Sequence, residues 1–312
     1  MKKIILLIGG SGFIGLELGR ALVKKGYLVR ILTRNKKRIE NSLPFSCEIF
    51  QWDAKLSVPS EAMIDCYAVV NLAGASVASR WTKKYKKILR DSRISTTQGM
   101  VDTYRELAVK PKVIIQASAI GVYGDRDNDI VDEDSIPGKD FLSKLAVDWE
   151  KKFNELSQNN LEAEFFVLRF GMVLGSTGGA LLKLANLYAK KLGSVIGSGG
   201  QWVSWVHVED VVRSIIWCIE EKKSQGTYNI VSSNPVSYKK LHKALVQVKG
   251  AQVINKVPAF IIKIILGEQA SLILNSTRVS NQKLTNQGFF FKYEDIEKAL
   301  QALLAKTYVR KL

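Results

Sequence analysis

The chain has 312 residues, 46% of them hydrophobic and 24% charged, so it can bury a large core in one domain or two modest ones. Its formal net charge is +17, but the basic residues are spread along the chain and form no single local patch, so we expect no nucleic-acid binding. Three scattered cysteines and two histidines exclude a disulfide framework and argue against a metal site, and they predict a reducing, cytoplasmic compartment.

A glycine-rich turn follows the first predicted strand. Residues 4–8 are all apolar, residues 9–15 read GGSGFIG, and residues 16–25 have a helical pattern. Gly9 and Gly12 permit a tight turn and close approach to a phosphate, and Gly15 permits the helix to pack on its strand. The free N–H groups at the start of the helix then face a pyrophosphate. This order predicts dinucleotide binding; the alternative is a tight turn that binds nothing.

The end of the second predicted strand, 28–32, indicates which dinucleotide binds. An NAD site usually ends this strand with an acidic residue that binds the ribose 2′-hydroxyl, whereas here the strand is followed by Thr33, Arg34 and Asn35. The guanidinium of Arg34 suits a 2′-phosphate, so we expect NADP(H) as the cofactor. For the next three basic residues, 36–38, a solvated loop is the preferred interpretation.

Alternating strand and helix patterns continue along the chain. Strands are predicted at 3–8, 28–32, 47–51, 67–72, 112–118 and 164–169. Helices are predicted at 13–25, 82–106, 141–157, 178–191, 209–222, 238–248, 258–266 and 293–304. The pattern predicts an α/β fold with a doubly wound parallel sheet of the Rossmann type over 1–175, followed by a smaller, mostly helical C-terminal lobe over 176–312. The segment 257–266 is too short to span a bilayer, and the chain enters a strand too early for a signal peptide, so we expect no transmembrane segment.

Ligands bind such sheets beyond the carboxyl ends of the strands, and several polar or glycine-rich segments follow predicted strands there. They are the Gly9 turn, Arg34, Asp53, Asn71 to Gly74, Ser118 and Arg169 to Gly171. Their convergence on one edge favours a ligand site over an isolated turn.

These residues carry a family resemblance. The glycine turn, Asn71 to Gly74, the Tyr123-Gly124 pair and the stretch Trp205 to Asp210 together resemble extended short-chain dehydrogenases/reductases. More narrowly, further stretches resemble the atypical branch called epimerase family proteins, some of which are labelled cell-division inhibitor-like. They include Ser118 to Asp125, Arg169 to Gly179, Gly197 to Trp202 and Val257 to Glu268, the last of which resembles a C-terminal domain peculiar to this branch at about 250–300.

The resemblance implies roles for individual residues. Gly9, Ser11, Gly12, Phe13, Ile14 and Gly15 would cradle the pyrophosphate. Thr33 and Arg34 would hold the 2′-phosphate, and Asp53 would lie near the adenine. Leu72, Ala73 and Gly74 would pass under the adenosine, while Arg93 and Val173 would line the nicotinamide half. Extended relatives often form homodimers, so the resemblance implies a possible homodimer.

The usual catalytic pair of this superfamily, Tyr-x-x-x-Lys, does not occur in the sequence. If Lys144 takes the lysine place and holds the ribose, Asp140 takes the tyrosine place, and a carboxylic acid is a poor proton donor at pH 7 unless burial raises its pKa. Ser118 lies one position before the usual serine. Tyr123 is the preferred substitute acid, with Asp125 and Asp140 as alternatives and packing as the competing interpretation of Tyr123.

Three functions remain open on this sequence. The chain is an NADP-dependent oxidoreductase or epimerase-like enzyme on an unidentified small molecule and uses another acid; or it reduces a substrate that needs little acid help; or it is a catalytically silent NADPH-binding regulator. His207 precedes Glu209 and Asp210 at a helix start, and a structural role is preferred over a role as a base.

Overall fold

The computed structural model describes residues 2–40, 42–157, 163–221, 225–249 and 256–309, with side chains described as far as residue 304. The chain forms two compact units, each assembled from separate segments. The first unit comprises Met1–Ala119, Lys144–Arg169 and Val212–Tyr228, and the second comprises Ile120–Ser143, Phe170–Val211 and Asn229–Leu312.

The strands and helices are numbered in chain order. The strands are β1 Ile4–Ile8, β2 Leu28–Thr33, β3 Glu48–Gln51, β4 Cys66–Asn71, β5 Val113–Ala119, β6 Ile130–Val131, β7 Glu164–Phe170, β8 Met172–Leu174, β9 Val195–Ile196, β10 Trp202–Val203, β11 Trp205–His207, β12 Gly226–Ile230, β13 Val236–Ser237, β14 Lys256–Val257 and β15 Arg278–Val279. The α-helices are α1 Phe13–Lys24, α2 Lys36–Ile39, α3 Ser60–Met63, α4 Lys83–Glu106, α5 Phe141–Asn154, α6 Gly179–Ala189, α7 Val208–Glu220, α8 Tyr238–Lys249, α9 Ala259–Leu266, α10 Ser271–Leu274, α11 Gln282–Asn286 and α12 Ile296–Val309. The described ranges also include 3₁₀ helices at Ile120–Tyr123 and Gly267–Ala270.

A seven-stranded sheet forms the centre of the fold, in the order β12-β7-β5-β4-β1-β2-β3. The pairs β3–β2, β2–β1, β1–β4 and β4–β5 are parallel, and the strand order reverses direction between β1 and β4. Four of the five β1 residues are buried, as a continuous apolar strand covered on both faces should be. The predicted doubly wound parallel sheet is therefore confirmed, and its switch point places ligands beside the carboxyl end of β1.

The buried side of the first helix contains two glycines. The buried residues of α1 are Gly15, Leu18, Gly19 and Leu22, spaced by three and four positions along one side. A Cβ at Gly15 would lie 2.6 Å from the Cα of Gly10, so glycine is what permits the helix to approach the turn so closely. This contact fixes the direction in which the start of α1 points.

The second unit contains short two-stranded pieces, β10–β13, β11–β8, β14–β9 and β15–β6. Its core is formed mainly by α6, α8 and α12, and includes Leu181, Tyr188, Trp205, Leu245 and Leu300. No helix within the described ranges has the length and apolar character needed to cross a membrane.

Candidate functional site

The glycine turn after β1 packs directly on the segment that follows β4. Gly9 has a φ of +83°, and a Cβ there would lie 2.9 Å from the backbone nitrogen of Ala73 and from the carbonyl carbon of Leu72. Leu72 N–H also donates to Ile8 C=O at 2.8 Å. Gly9 is thus fixed by both backbone conformation and packing, and the turn and the segment 72–74 form one surface.

The start of α1 offers backbone donors to an anion. The N-cap residue Gly12 makes no side-chain cap bond, and the first turn of this fully described helix holds no acidic residue. The N–H of Gly12 itself donates to Gly9 C=O at 3.0 Å, which leaves the following amides of Phe13, Ile14 and Gly15 as the unsatisfied donors of the first turn. Together with the helix dipole, these groups favour a phosphate at this position.

Gly12 differs from its neighbours in what its missing side chain would touch. Its φ of −81° and ψ of 174° are open to any residue, and a Cβ there would meet only Gly9 C=O, at 3.2 Å. Glycine at position 12 therefore avoids one tight contact with a backbone oxygen, and the position is otherwise open. Open space at this position, in front of free amides, fits a bound pyrophosphate.

Arg34 follows β2 and is exposed. The guanidinium makes no hydrogen bond or ion pair with any residue that the structure describes. Thr33 Oγ1 accepts from Asn35 N–H at 3.2 Å, and Asn35 caps α2 by accepting from Arg38 N–H at 3.1 Å. This turn is therefore held by Thr33 and Asn35, and Arg34 is left available to an anion.

Asp53 lies just beyond the end of β3, the strand that pairs with β2. Trp52 N–H donates to Thr33 C=O at 2.8 Å, so β3 extends alongside the end of β2. The carboxylate of Asp53 accepts from Lys55 N–H at 3.2 Å and is exposed. The geometry brings Thr33 and the Trp52–Asp53 pair to one edge, whereas contact between Asp53 and an adenine stays a prediction.

A buried polar network holds the segment after β4 in place. Asn71 Oδ1 accepts from Ala73 N–H at 3.1 Å, while Asn71 Nδ2 donates to Gln116 Oε1 at 3.0 Å and to Thr97 Oγ1 at 3.2 Å. Trp149 Nε1 also donates to Thr97 Oγ1, at 2.9 Å. Because buried polar groups are costly unless paired, this network gives the segment 71–74 a single conformation.

Arg93 supports the same segment from α4. Its Nη1 donates to Ala75 C=O at 3.2 Å and to Leu89 C=O at 3.1 Å, and its guanidinium lies 5.1 Å from the ring centroid of Trp149. Burial lowers the pKa of Arg93 to about 10. No described carboxylate pairs with this cation, so it adds positive potential beneath Gly74, as a site for an anionic ligand requires.

Ser118 is engaged in a buried ion-pair cluster. Its Oγ donates to Glu150 Oε1 at 2.5 Å, and Glu150 accepts from Arg169 through both oxygens, at 2.9 and 2.7 Å. The side chains of Arg169 and Glu150 are only 11% and 10% exposed. The hydroxyl proton of Ser118 is therefore directed at Glu150, and its assignment as a catalytic group stays a prediction without support from this geometry.

The two residues expected at the superfamily's catalytic positions have different surroundings. In the first unit, Lys144 is exposed on α5 and makes no hydrogen bond or ion pair with a described residue. In the second unit, Asp140 accepts from Ser143 N–H at 2.8 Å, from Ser143 Oγ at 2.9 Å and from Asn275 Nδ2 at 3.1 Å. The aspartate thus caps the first turn of α5 and has a structural function there.

Tyr123 lies in the core of the second unit with no exposed surface. Its hydroxyl donates to Asn229 Oδ1 at 2.7 Å, and its carbonyl accepts from Arg126 Nε at 2.9 Å. A phenol enclosed in this way cannot reach a substrate without rearrangement of the core. This geometry fits the packing interpretation, and Tyr123 as an acid stays a prediction.

The remaining candidates of the second unit also have structural partners. Asp125 Oδ1 accepts from Ser276 N–H at 2.9 Å. His207 Nδ1 accepts from Glu209 N–H at 3.0 Å, and the His207 ring stacks on Tyr293 with centroids 3.7 Å apart. Val173 is half-buried on β8, opposite Val206 of β11, and its position beside a nicotinamide stays a prediction.

Sequence reasoning missed the polar residues behind the site. Thr97, Gln116, Trp149 and Glu150 were given no role from the sequence, and they come from α4, β5 and α5, so no local spacing joins them. One signal was present: Gln116 follows three apolar residues, Val113 to Ile115, in a predicted strand, and a polar residue buried there must have a partner.

The fold and this edge of the sheet define a dinucleotide-binding α/β protein, and comparison with known families identifies which one. The model of the NAD dependent epimerase/dehydratase family matches residues 5–231, and a domain of unknown function, DUF1731, matches residues 257–303. The chain belongs to the NAD-dependent epimerase/dehydratase family, in the branch of epimerase family proteins, as its sequence resemblance indicated.

Curated relatives match over nearly their whole length. The chain is 35% identical over 302 residues to epimerase family protein YfhF of Bacillus subtilis, covering 96% of this chain and 98% of the relative. It is 32% identical over 305 residues to the chloroplastic epimerase family protein SDR39U1 homolog of Arabidopsis thaliana, covering 97% and 87%.

Solved structures share the fold. Human epimerase family protein SDR39U1, crystallised with NADPH, is similar with a TM-score of 0.86 and 24% identity, covering 97% of this chain and 99% of the human one. UDP-glucuronic acid 4-epimerase of Bacillus cereus, with UDP-glucuronic acid and NAD, gives a TM-score of 0.80 and 19% identity, with 99% of both chains covered.

Proposed function

We propose that this protein binds NADP(H) at the carboxyl edge of the first unit's sheet and uses it to reduce or oxidise a small molecule. The observation that carries the proposal is Arg34, an exposed cation that pairs with no described residue, at the end of β2, where NAD sites usually have a carboxylate. The human neighbour crystallised with NADPH is consistent with this preference.

The residues of the site have separate tasks in this proposal. The amides of Phe13, Ile14 and Gly15 hold the pyrophosphate, and the space at Gly12 admits it. Arg34 binds the 2′-phosphate through charge-assisted hydrogen bonds. Arg93 stabilises the segment 72–74 beneath the adenosine and contributes positive charge. Lys144 is available to hold ribose hydroxyls.

When bound, NADPH supplies a hydride from the nicotinamide ring. Tyr123, Ser118 and Asp140 are engaged in hydrogen bonds of their own, so we infer a substrate that needs little proton donation from the protein. The reacting carbon takes the hydride, and a proton from water completes the reduction at the carbonyl oxygen or, in an activated alkene, at the neighbouring carbon. We place this activity in the cytoplasm, since the described cysteines are free.

A catalytically silent NADPH-binding regulator is the second candidate. The hydrogen bonds of the candidate acids favour it, because each side chain expected to donate a proton is engaged within the fold. A screen with NADPH deuterated at C4 separates the two functions. Transfer of deuterium to any carbonyl or activated alkene in the screen supports the enzyme. Tight NADPH binding without transfer across these substrate classes, and with no slow oxidation of NADPH, favours the regulator.

The cofactor assignment is tested separately by fluorescence titration of the purified protein with NADPH and NADH. Tighter binding of NADPH is expected. Equal affinities would contradict the function of Arg34, and binding of neither would contradict both candidate functions.

A further inference from the structure

The short helix α9 carries large apolar side chains that the rest of the described chain leaves exposed. Its sequence is AFIIKIIL, and none of its residues is buried. Phe260 is 62% exposed, Ile264 77% and Ile265 62%. Phe260 and Ile264 are four residues apart, so they lie on one side of the helix, and Ile265 borders them. We call these three side chains the apolar face of α9.

The other side of α9 does not pack in a core either. Ala259, Lys263 and Gly267 follow one another at a spacing of four residues and line a polar cavity of about 770 Å³, together with Asp127, Ser198 and Gln201. The helix therefore stands between a polar cavity and solvent. A clustered, exposed apolar surface of this kind marks a site of interaction.

Contacts at both ends hold α9 in a fixed position on the second unit. Before the helix, β14 pairs with β9, and Gly197 N–H donates to Val257 C=O at 2.9 Å. After it, the 3₁₀ helix Gly267–Ala270 buries Gln269 and Ala270. The apolar face is thus presented in one orientation, which lowers the entropy cost of docking.

Positive charges lie next to the apolar face. Lys256 precedes the helix and Lys263 lies within it, and both are exposed. Lys239 N–H donates to Gly199 C=O at 2.8 Å, on the same loop as Gly197, whose added Cβ would lie 3.6 Å from Ala259. Lys240 and Lys243 are also exposed, further along α8, and acidic residues lie near α9 as well, with Glu268 beside it and Asp125 and Asp127 in the lining of the same cavity.

Apolar side chains bordered by lysines match an anionic lipid surface, since the side chains enter the headgroup boundary while the lysines reach the lipid phosphates. A second copy of the chain, packed face to face, would bring like-charged lysines together. We propose that the apolar face of α9 docks this protein on the surface of anionic bilayers. An eight-residue helix is about 12 Å long, so it lies in the interface and does not span the bilayer.

Vesicle co-sedimentation tests this docking independently of cofactor binding. The wild-type protein is expected to bind vesicles of phosphatidylcholine mixed with phosphatidylglycerol more tightly than vesicles of phosphatidylcholine alone. The double variant Phe260→Ser/Ile264→Ser should bind at least about tenfold more weakly, because two large apolar side chains no longer leave water. Lys263→Gln should weaken binding only to the anionic vesicles.

The matched control is Phe290→Ser, since Phe290 is 76% exposed and lies outside α9. It should bind vesicles as the wild type does, and all variants should keep the wild-type unfolding temperature and NADPH affinity. Three results would overturn the proposal. They are a lack of vesicle binding, a dimer that the double variant converts to monomer, and a lowered unfolding temperature, which would mean that the face packs on its own chain.

Discussion

The hydroxyl of Tyr123 donates to Asn229 Oδ1 at 2.7 Å inside the second unit, and both side chains are fully buried. Asn229 Nδ2 in turn donates to Ser280 C=O at 3.1 Å, and Asn229 N–H donates to Glu133 at 2.7 Å. Tyr123 therefore joins a connected set of buried polar groups, and its contribution is expected in stability and not in turnover.

The variant Tyr123→Phe should lower the free energy of unfolding by about 1–3 kcal/mol, because Asn229 Oδ1 loses its buried donor. Urea unfolding measures this loss. Tyr67→Phe is the control: its hydroxyl makes no hydrogen bond with a described residue, so the change should be under about 0.5 kcal/mol. Lost turnover with unchanged stability in Tyr123→Phe would restore the tyrosine as the acid.

Two glycines of the turn should respond differently to substitution. Gly12→Val should abolish cofactor binding, because its side chain would occupy the pyrophosphate position, and should lower stability less than a Cβ at Gly15 does, because a Cβ at position 12 meets Gly9 C=O at 3.2 Å and no other atom within 4 Å. Gly15→Ala should instead lower stability by about 1–3 kcal/mol, because its Cβ collides with the backbone of Gly10. Normal NADPH binding by Gly12→Val would refute the assignment of the loop.

Substitutions in the buried cluster of Ser118, Glu150 and Arg169 should lower the free energy of unfolding by different amounts. Glu150→Gln should lower stability by about 3–5 kcal/mol, because it removes the buried negative charge that pairs with Arg169. Ser118→Ala removes one hydrogen bond to a charged group and should cost about 1–3 kcal/mol. Chemical unfolding compares the two. If Ser118→Ala were as stable as the wild type yet inactive, Ser118 would act on substrate.

Much of the fold could be predicted from the sequence because the long helices and strands have a regular pattern of apolar residues. The helix predicted at 82–106 is Lys83–Glu106, and the strand predicted at 164–169 is Glu164–Phe170. Most short elements were not predicted, and two of them show the physical reasons. In β12, Gly226–Ile230, glycine, threonine and asparagine interrupt the apolar pattern, and the four-residue α2 depends on the Asn35 cap and not on periodicity.

Only part of the candidate site could be predicted from the sequence. The glycine turn and Arg34 are local in sequence, so their positions followed from the strand–turn–helix order. The surroundings of Tyr123 were not predictable, because its partner Asn229 is 106 residues away. Likewise, Ser118 meets Glu150 across 32 residues. Only tertiary packing decides whether such a hydroxyl faces a ligand or the protein.

His242 predicts a pH dependence of stability. Its Nδ1 lies 2.6 Å from the hydroxyl of Tyr188, and burial lowers the pKa of His242 below its ordinary 6.5. As the pH falls below 6.5, the unfolded chain therefore binds a proton that the folded chain does not, and stability decreases, by at most about 1.4 kcal/mol per pH unit for this group.

The variant His242→Gln keeps an acceptor for Tyr188 but does not titrate. Its free energy of unfolding should therefore fall less steeply than that of the wild type between pH 6.5 and the lowered pKa of the histidine. Urea unfolding at stepped pH values, with His207→Gln as the comparison, measures the difference. Parallel curves for wild type and His242→Gln would show that His242 has the same pKa in both states.

The most direct test of the NADP(H) site is titration of the wild type and of Arg34→Ala with NADPH and NADH. The wild type should prefer NADPH, and Arg34→Ala should lose about tenfold or more in NADPH affinity while its NADH affinity changes little, because only NADPH carries the 2′-phosphate. Lys36→Ala, a neighbouring exposed cation, should resemble the wild type. Equal losses for both cofactors, or no loss for either, would contradict the assignment of this edge as an NADP(H) site.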